Sequence, residues 1–172
     1  MSSRTCLSLK GVRGPMSDSK SNSELDDFLA TTLARQIAAD EALHNGDPEP
    51  RLALWSRNEP VTVLGAVKNA IGWEEVSQAF RWLGTRFSNC TAFRFDLVAA
   101  GVSGDMAYTV GYEHTAVSMA GVPAEPYTLR VTHVYRRENG EWKIAHRHAD
   151  HADSSGGPLS LDQSPPAEAS TT

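Results

Sequence analysis

Cysteine is scarce in this chain, with Cys6 and Cys90 as the two examples in 172 residues. Two cysteines so far apart form neither a disulfide framework nor a metal-binding motif. Long apolar runs are also missing, because no stretch approaches the roughly 18 residues that a transmembrane helix needs. The N-terminal residues carry positive charge but lack the apolar segment of a signal peptide. These absences predict a cytoplasmic protein that does not associate with a membrane.

An excess of positive charge is missing as well. Lys and Arg number 16 against 21 Asp and Glu, so the formal net charge is −5. Proteins that bind nucleic acids neutralise phosphates with clustered Lys and Arg, and this chain contains no basic run. The composition therefore predicts no nucleic-acid partner.

The composition divides the chain into one domain between two tails. Residues 1–22 and 153–172 are rich in Ser, Gly, Pro and charged residues without apolar periodicity, which predicts disorder. Met16 opens a run typical of bacterial N-termini and is a second candidate for the natural start. Residues 23–152 are long enough for one hydrophobic core and are predicted to form a single domain.

Helical periodicity dominates the first half of the predicted domain. One long amphipathic helix is predicted by apolar and small polar residues at helical spacing, namely Leu25, Phe28, Leu29, Thr32, Leu33, Gln36 and Ile37. A short helix from Asp47 to about Trp55, a short strand at residues 60–65, a loop at 66–72 and a helix from Trp73 to about Phe87 follow.

Strand periodicity dominates the second half. Residues 91–102 and 106–117 are predicted strands, a loop is predicted at 118–126, and a hairpin follows. In that hairpin, residues 129–135 and 142–148 alternate around an Asn139-Gly140 turn. Gly101 and Gly111 at strand positions allow the sheet to curve. The predicted fold is therefore α+β, with N-terminal helices on one face of a curved, mostly antiparallel sheet.

Three segments carry a resemblance to a known superfamily. They are ALWSRNEPVTVLG at 53–65, WEEVSQAF at 73–80 and RVTHVYRRENGEWKIAHRHAD at 130–150. On these segments the chain resembles the nuclear transport factor 2 superfamily, and within it the SnoaL-like and ketosteroid-isomerase-like group. Its last strand is also similar to that of the association domain of calcium/calmodulin-dependent protein kinase II.

The resemblance implies a cone-shaped, cystatin-like fold with a small apolar pocket, and a homodimer formed through the sheet. It also implies a small apolar or polyketide- or steroid-like ligand and no cofactor. One implied function is an isomerase, cyclase or dehydratase that uses general acid–base catalysis. The alternative is a non-catalytic ligand-binding or oligomerisation module, because this fold supports many functions.

The candidate site residues depend on which face of the sheet lines the pocket, since neighbouring strand residues point to opposite faces. With the kinase association domain as guide, the inward residues are Tyr108, Val110, Tyr112 and His114, with Arg130, Thr132 and Val134 beside them and Arg147 nearby. The opposite assignment, in which Val131, His133 and Tyr135 point inward, stays open because alternation alone is symmetric.

Under the first assignment the predicted catalytic residues are two tyrosines and an acid–base group. Tyr108 and Tyr112 would donate hydrogen bonds to an oxyanion, and Asp96 or His114 would act as the base. The predicted ligand-binding residues are Trp55, Val110, Arg130, Thr132 and Arg147. Although His146 and His148 share one face of a strand, no third ligand is fixed, and no metal is predicted.

Overall fold

The computed structural model describes residues 19–152 of the chain, without the side chains of residues 19–22 and 124. The first helix begins at Ser19, before the predicted domain boundary at residue 23. The rest of the two predicted tails and the alternative start at Met16 lie outside the described residues. No helix within residues 19–152 has the length and apolar character needed to span a bilayer.

A nearly continuous helical rod forms the N-terminal part of the fold. It consists of α1 (Ser19–Phe28), a π-helical turn (Leu29–Leu33) and α2 (Ala34–His44). The predicted apolar stripe is the face that this rod buries, including Phe28 and Ile37. Two further helices follow, α3 (Glu49–Ala53) and α4 (Trp73–Gly84).

The remaining chain forms one six-stranded sheet. Its strands are β1 (Thr62–Leu64), β2 (Asn69–Ile71), β3 (Phe87–Ser103), β4 (Met106–Met119), β5 (Val122–Glu138) and β6 (Glu141–His151). They are ordered β2-β1-β6-β5-β4-β3, with β1 parallel to β6 and the other neighbours antiparallel. The predicted α+β class, meander and hairpin are confirmed.

Two local predictions are wrong. The segment predicted as a loop at 66–72 contains β2, and the one predicted at 118–126 contains the start of β5. The chain reverses instead at Ala120 and Gly121, which both have positive φ. Strand pairing with β4 extends β5 through two prolines that are unfavourable for a strand by propensity.

Bulges curl the sheet into a half-barrel around the helices. The register shifts between Leu97 and Ala99 on β3 and between Val134 and Tyr135 on β5. Such shifts bend a strand and increase its twist. The curled sheet and the helical rod enclose the hydrophobic core, and a cavity lies between them at one end.

The structure resolves the choice between the two sheet faces in favour of the second assignment. On β4 and β5 the inner face carries Thr109, His133 and Tyr135, and His133 is 0% exposed. Tyr108 and Tyr112 are 44% and 39% exposed on the outer face. The assignment of Tyr108, Val110, Tyr112, His114, Arg130 and Thr132 to the cavity is therefore wrong. The period-2 pattern of a strand fits either face equally well, because it does not show which face the helices cover. The packing of the helices decides which face is enclosed.

Two strand glycines are expected to respond differently to alanine. A Cβ at Gly111 would lie 2.5 Å from the Asp96 carbonyl oxygen, which belongs to the backbone of a paired strand. A Cβ at Gly101 would lie 2.5 Å from the Tyr108 ring, an exposed side chain that can turn away. In urea denaturation, Gly111→Ala should lower the free energy of unfolding by about 1–3 kcal/mol, and Gly101→Ala by clearly less. Equal losses would contradict the close backbone approach at Gly111.

Candidate functional site

A mostly apolar cavity of about 330 Å³ lies between the inner face of the sheet and the helices. This volume is within the range of small-molecule sites, which begins near 300 Å³. Its apolar wall comes from both layers of the fold, with Leu43, Val63, Phe80, Phe87, Val117 and Leu129 among the lining side chains. Charged residues from the helices and from the sheet also line it.

An aspartate from the helical rod forms part of this lining. Asp40 follows Gln36 by one helical turn, so it continues the buried stripe of α2. Its Oδ1 forms an ion pair of 2.5 Å with Nη1 of Arg51 from α3. Asp40 and Arg51 are only 4% and 1% exposed. The Gln36 side chain also interacts with the Asp40 carboxyl group and lowers its pKa, whereas Asp40 Oδ2 has no hydrogen-bond partner of good geometry among the described residues.

The environment of Asp40 changes its protonation. Burial raises the pKa of this carboxyl group to about 7, while Arg51 opposes the shift and the charge of Glu113 adds to it. A carboxyl group with such a pKa is present in both protonation states near neutral pH. It can therefore accept a proton or donate one, as general acid–base catalysis requires.

A series of buried polar side chains contacts Arg51 in addition to Asp40. Arg51 Nη2 lies 3.0 Å from His133 Nε2, and His133 Nδ1 lies 3.4 Å from Gln36 Nε2. The Tyr135 hydroxyl in turn donates to the Gln36 Oε1. Burial, together with the charges of Arg51 and Arg147, lowers the pKa of His133 well below its usual value. The imidazole is therefore neutral, and it accepts a hydrogen bond at one ring nitrogen, either from the guanidinium at Nε2 or from the Gln36 amide at Nδ1.

A second carboxylate–arginine pair comes from the sheet. Arg147 Nη2 on β6 donates to Glu113 Oε2 on β4 at 2.7 Å. The Glu113 side chain is nearly fully buried, and its Oε1 has no hydrogen-bond partner among the described residues. The cavity therefore has one such pair in its helical wall and another in its sheet wall.

His44 and Tyr127 add two polar groups to the lining. His44 Nδ1 donates to the Asp40 carbonyl oxygen at 2.7 Å, and its ring stacks on Phe87 at 4.8 Å. Burial lowers the pKa of His44, so its imidazole is neutral at pH 7. Burial also raises the pKa of Tyr127 to about 12, which keeps its hydroxyl protonated as a donor.

The predicted site residues divide between the two faces. Arg147 lines the cavity. Trp55 is buried in the core, where its ring centroid lies 5.4 Å from that of Phe80. The others occupy the outer face, namely Tyr108, Val110, Tyr112, His114, Asp96, Arg130 and Thr132.

The structure brings some of the predicted residues together on the outer face. His114 Nε2 lies 3.2 Å from Asp96 Oδ2, and Arg94 Nη2 lies 2.9 Å from the same oxygen. Arg130 contacts Asp150 through two nitrogens. The predicted catalytic roles of Asp96 and His114 would thus need a site separate from the cavity, and they stay predictions.

Sequence reasoning missed four polar residues of the cavity, although two signals were present. Asp40 and His44 continue the apolar spacing of the first helix, so two ionisable groups occupy a stripe that should be buried. Glu113 lies on the same face of β4 as the small residues Thr109, Gly111 and Thr115, and this face is the inner one. Arg51 gave no comparable signal, because α3 is too short to show a periodicity.

A metal site is not evident in the part of the chain that the structure describes. Between residues 19 and 152, no three or more His, Cys, Asp and Glu side chains are placed to hold an ion. His146 lies on the outer face, and its Nδ1 is 2.7 Å from the Thr62 hydroxyl oxygen.

A family model described as a SnoaL-like domain matches residues 35–152, which include both carboxylate–arginine pairs. No curated protein matches the chain significantly. The match covers the region in which the sequence segments pointed to this group.

Solved structures share the fold at low identity. A nuclear transport factor 2-like superfamily protein from Salmonella enterica is 16% identical, with a TM-score of 0.66 over 83% of this chain and 99% of that chain. A ketosteroid isomerase-like protein from Erwinia carotovora is 18% identical, with a TM-score of 0.59 and coverages of 73% and 97%. A proposed dehydratase of the same superfamily from Streptomyces avermitilis is 22% identical. Its TM-score is 0.57, and the match covers 74% of this chain and 97% of that chain. These similarities confirm the nuclear transport factor 2-like fold.

The buried histidine and aspartate predict opposite responses of stability to pH. Because the folded protein keeps His133 neutral while the unfolded chain protonates it below about pH 6.5, its contribution to stability is lost as the pH falls. Asp40 keeps its proton up to about pH 7 when folded, against about 3.8 when unfolded, so its contribution grows as the pH falls. Each effect is limited to about 1.4 kcal/mol per pH unit.

Urea denaturation at pH 7.5 and pH 5.5 measures both contributions. His133→Gln should lose less stability than the wild type on acidification, and Asp40→Asn should lose more. Identical pH dependence in the three would contradict the protonation states assigned to His133 and Asp40.

Proposed function

Because the chain belongs to the family of SnoaL-like domains, we propose that it is a cytoplasmic enzyme of isomerase, cyclase or dehydratase type that works by general acid–base catalysis without a cofactor. Its substrate is a small, mostly apolar molecule of polyketide or steroid character. The observation that carries the proposal is Asp40, a buried carboxyl group in an apolar cavity with one oxygen free of hydrogen bonds.

The position of Asp40 supports its role as the acid–base residue. Oδ1 is held by Arg51, so Oδ2 is the oxygen available for proton transfer. Arg51 stabilises the ionised form and keeps the pKa of Asp40 near 7 despite complete burial. A base that titrates near the working pH combines a useful ionised fraction with basicity, which is the favourable condition for proton transfer.

Another cavity residue supports the charge that such a reaction develops. Removal of a proton next to a carbonyl group places negative charge on the carbonyl oxygen. Tyr127 lines the same cavity, and its protonated hydroxyl group is a hydrogen-bond donor. Donors aimed at a developing charge in a site of low polarity are an effective source of rate enhancement.

The second candidate function is a ligand-binding or oligomerisation module without catalysis. It is favoured by the fact that both buried carboxylates already have an arginine partner. Networks of this kind also occur where the charges serve only the structure. In this alternative the cavity binds its ligand unchanged, and the loss of Asp40 affects affinity rather than a rate.

Proton abstraction from 5-nitrobenzisoxazole, a small apolar molecule with an acidic C–H bond, tests the proposal. A base removes its ring C–H proton, the N–O bond breaks, and a coloured cyanophenolate forms without any other reactant. We expect the wild-type rate to rise with pH and level off above an apparent pKa of about 7, as ionisation of Asp40 requires. Asp40→Asn should lower the rate by roughly 100-fold or more.

Asp105→Asn is the matched control, because Asp105 lies in the exposed turn between β3 and β4. It makes the same chemical change outside the cavity and should leave the rate unchanged. Equal rates for the wild type and Asp40→Asn would contradict catalysis by Asp40. A loss in Asp96→Asn or His114→Ala instead would place the chemistry on the outer face.

The outer face of the sheet is proposed as the interface of a homodimer. Within one chain Tyr108 and Tyr112 are exposed there, although they are large aromatic residues. Aromatic residues in the centre of an interface contribute much of its binding energy. Tyr112→Arg should raise the dimer dissociation constant at least about tenfold, as measured by analytical ultracentrifugation. A monomeric wild type, or a variant that dimerises equally well, would contradict this interface.

A further inference from the structure

The cationic groups of the cavity already have partners. Arg51 is paired with Asp40, and Arg147 is paired with Glu113.

The other basic groups of the lining are also unsuited to binding an anion deep in the cavity. Lys68 lies at the rim, where its Nζ is 5.4 Å from the centroid of the Trp82 ring. Burial keeps His44 neutral, and His151 is exposed at the edge of the lining. The deep part of the cavity therefore offers no unmatched positive charge to an anionic ligand.

Hydrogen-bond acceptors remain without partners in the same place. Asp40 Oδ2 and Glu113 Oε1 lack hydrogen bonds within the described residues, and their side chains are 5% and 3% exposed. Arg51 Nε and Nη1 also lack a hydrogen bond, although Nη1 is in the ion pair with Asp40 Oδ1 and the guanidinium lies over the Phe80 ring at 5.4 Å. A buried acceptor without a donor is unfavourable and is uncommon in folded proteins. A ligand that brings a donor removes this penalty, and a ligand that brings another acceptor increases it.

The mouth of the cavity is apolar and open to solvent. Val67 and Val122 line it and are 51% and 65% exposed, with Met119 and Pro123 next to them. Apolar side chains left exposed around a cavity are typical of a ligand-binding entrance. The polar end of a ligand therefore belongs at the deep carboxylates, and its apolar body belongs toward the mouth.

From this distribution of donors and acceptors we propose that the cavity selects neutral, hydroxyl-bearing apolar molecules and rejects their carboxylate analogues. The hydroxyl group enters first and donates to the free oxygen of Asp40 or Glu113. This inference rests on the proposed function only in taking the cavity as the ligand site. It names the class of substrate on which the acid–base chemistry would act.

Three naphthalenes of similar size test the selection, with binding measured by isothermal titration calorimetry at pH 7.5. The alcohol 2-naphthol carries a donor, 2-methoxynaphthalene lacks that donor, and 2-naphthoate carries a negative charge. We expect 2-naphthol to bind at least about tenfold more tightly than either of the others, because a site built around a hydroxyl group discriminates strongly against analogues without it.

Glu113→Gln examines the cause of the selection. It leaves Arg147 without its counter-charge, so the affinity for 2-naphthoate should rise at least about tenfold. Glu141→Gln is the matched control, since it removes the carboxylate that pairs with Lys143 in an exposed turn at 2.8 Å. This control should keep the wild-type order of affinities.

The inference is overturned if wild-type protein binds 2-naphthoate or the methyl ether as tightly as 2-naphthol, or binds none of the three. It is also overturned if Glu113→Gln behaves like Glu141→Gln. If circular dichroism shows that Glu113→Gln does not fold, Asp40→Asn tests the same point by leaving Arg51 unmatched. These affinities do not depend on turnover, so they can support the selection even if Asp40→Asn retains full activity toward the isoxazole.

Discussion

The buried ion pair between Asp40 and Arg51 is the constraint on which the candidate site depends. Transfer of two charges from water to the protein interior is unfavourable unless hydrogen bonds compensate. Loss of one partner then leaves the other charge buried without compensation, which strongly lowers the stability of the fold. Here Arg51 also contacts His133 on β5, so one guanidinium connects α2, α3 and the sheet. The same contacts that hold the layers together therefore close the deep end of the cavity.

The chemistry of Asp40 follows from a balance between two opposing effects. Burial alone would favour the neutral carboxyl group strongly, whereas an adjacent guanidinium alone would favour the ionised one. The structure combines both, and the pKa of Asp40 is raised only to about 7. His133 contributes because it is neutral: a protonated imidazole would repel Arg51 and displace it from the carboxylate. The acid–base character of the cavity is thus a consequence of how the polar core is packed.

The features that local sequence determines could be predicted, and those that depend on packing could not. The alternation of residues 129–135 and the Asn139-Gly140 turn specify the hairpin, because strand faces and turn geometry are local properties. Alternation cannot tell whether Tyr108 or Thr109 points inward, since that choice depends on where the helices pack. The position of Arg51 depends on a contact with His133, 82 positions away in the sequence. Arg147 was predicted, and Asp40 and His44 were detectable as ionisable residues on a buried helical stripe.

The two walls of the cavity interact electrostatically, so ligand binding at one wall would change the pKa of Asp40 in the other. The charge of Glu113 contributes to the raised pKa of Asp40. A hydroxyl group that donates to Glu113 would spread part of that negative charge onto the ligand, so its effect on Asp40 would weaken. Asp40 would then ionise more readily when the cavity is occupied than when it is empty. Under the proposed function, the sheet wall would recognise the ligand, the helical wall would act on it, and the bound substrate would help to generate the base.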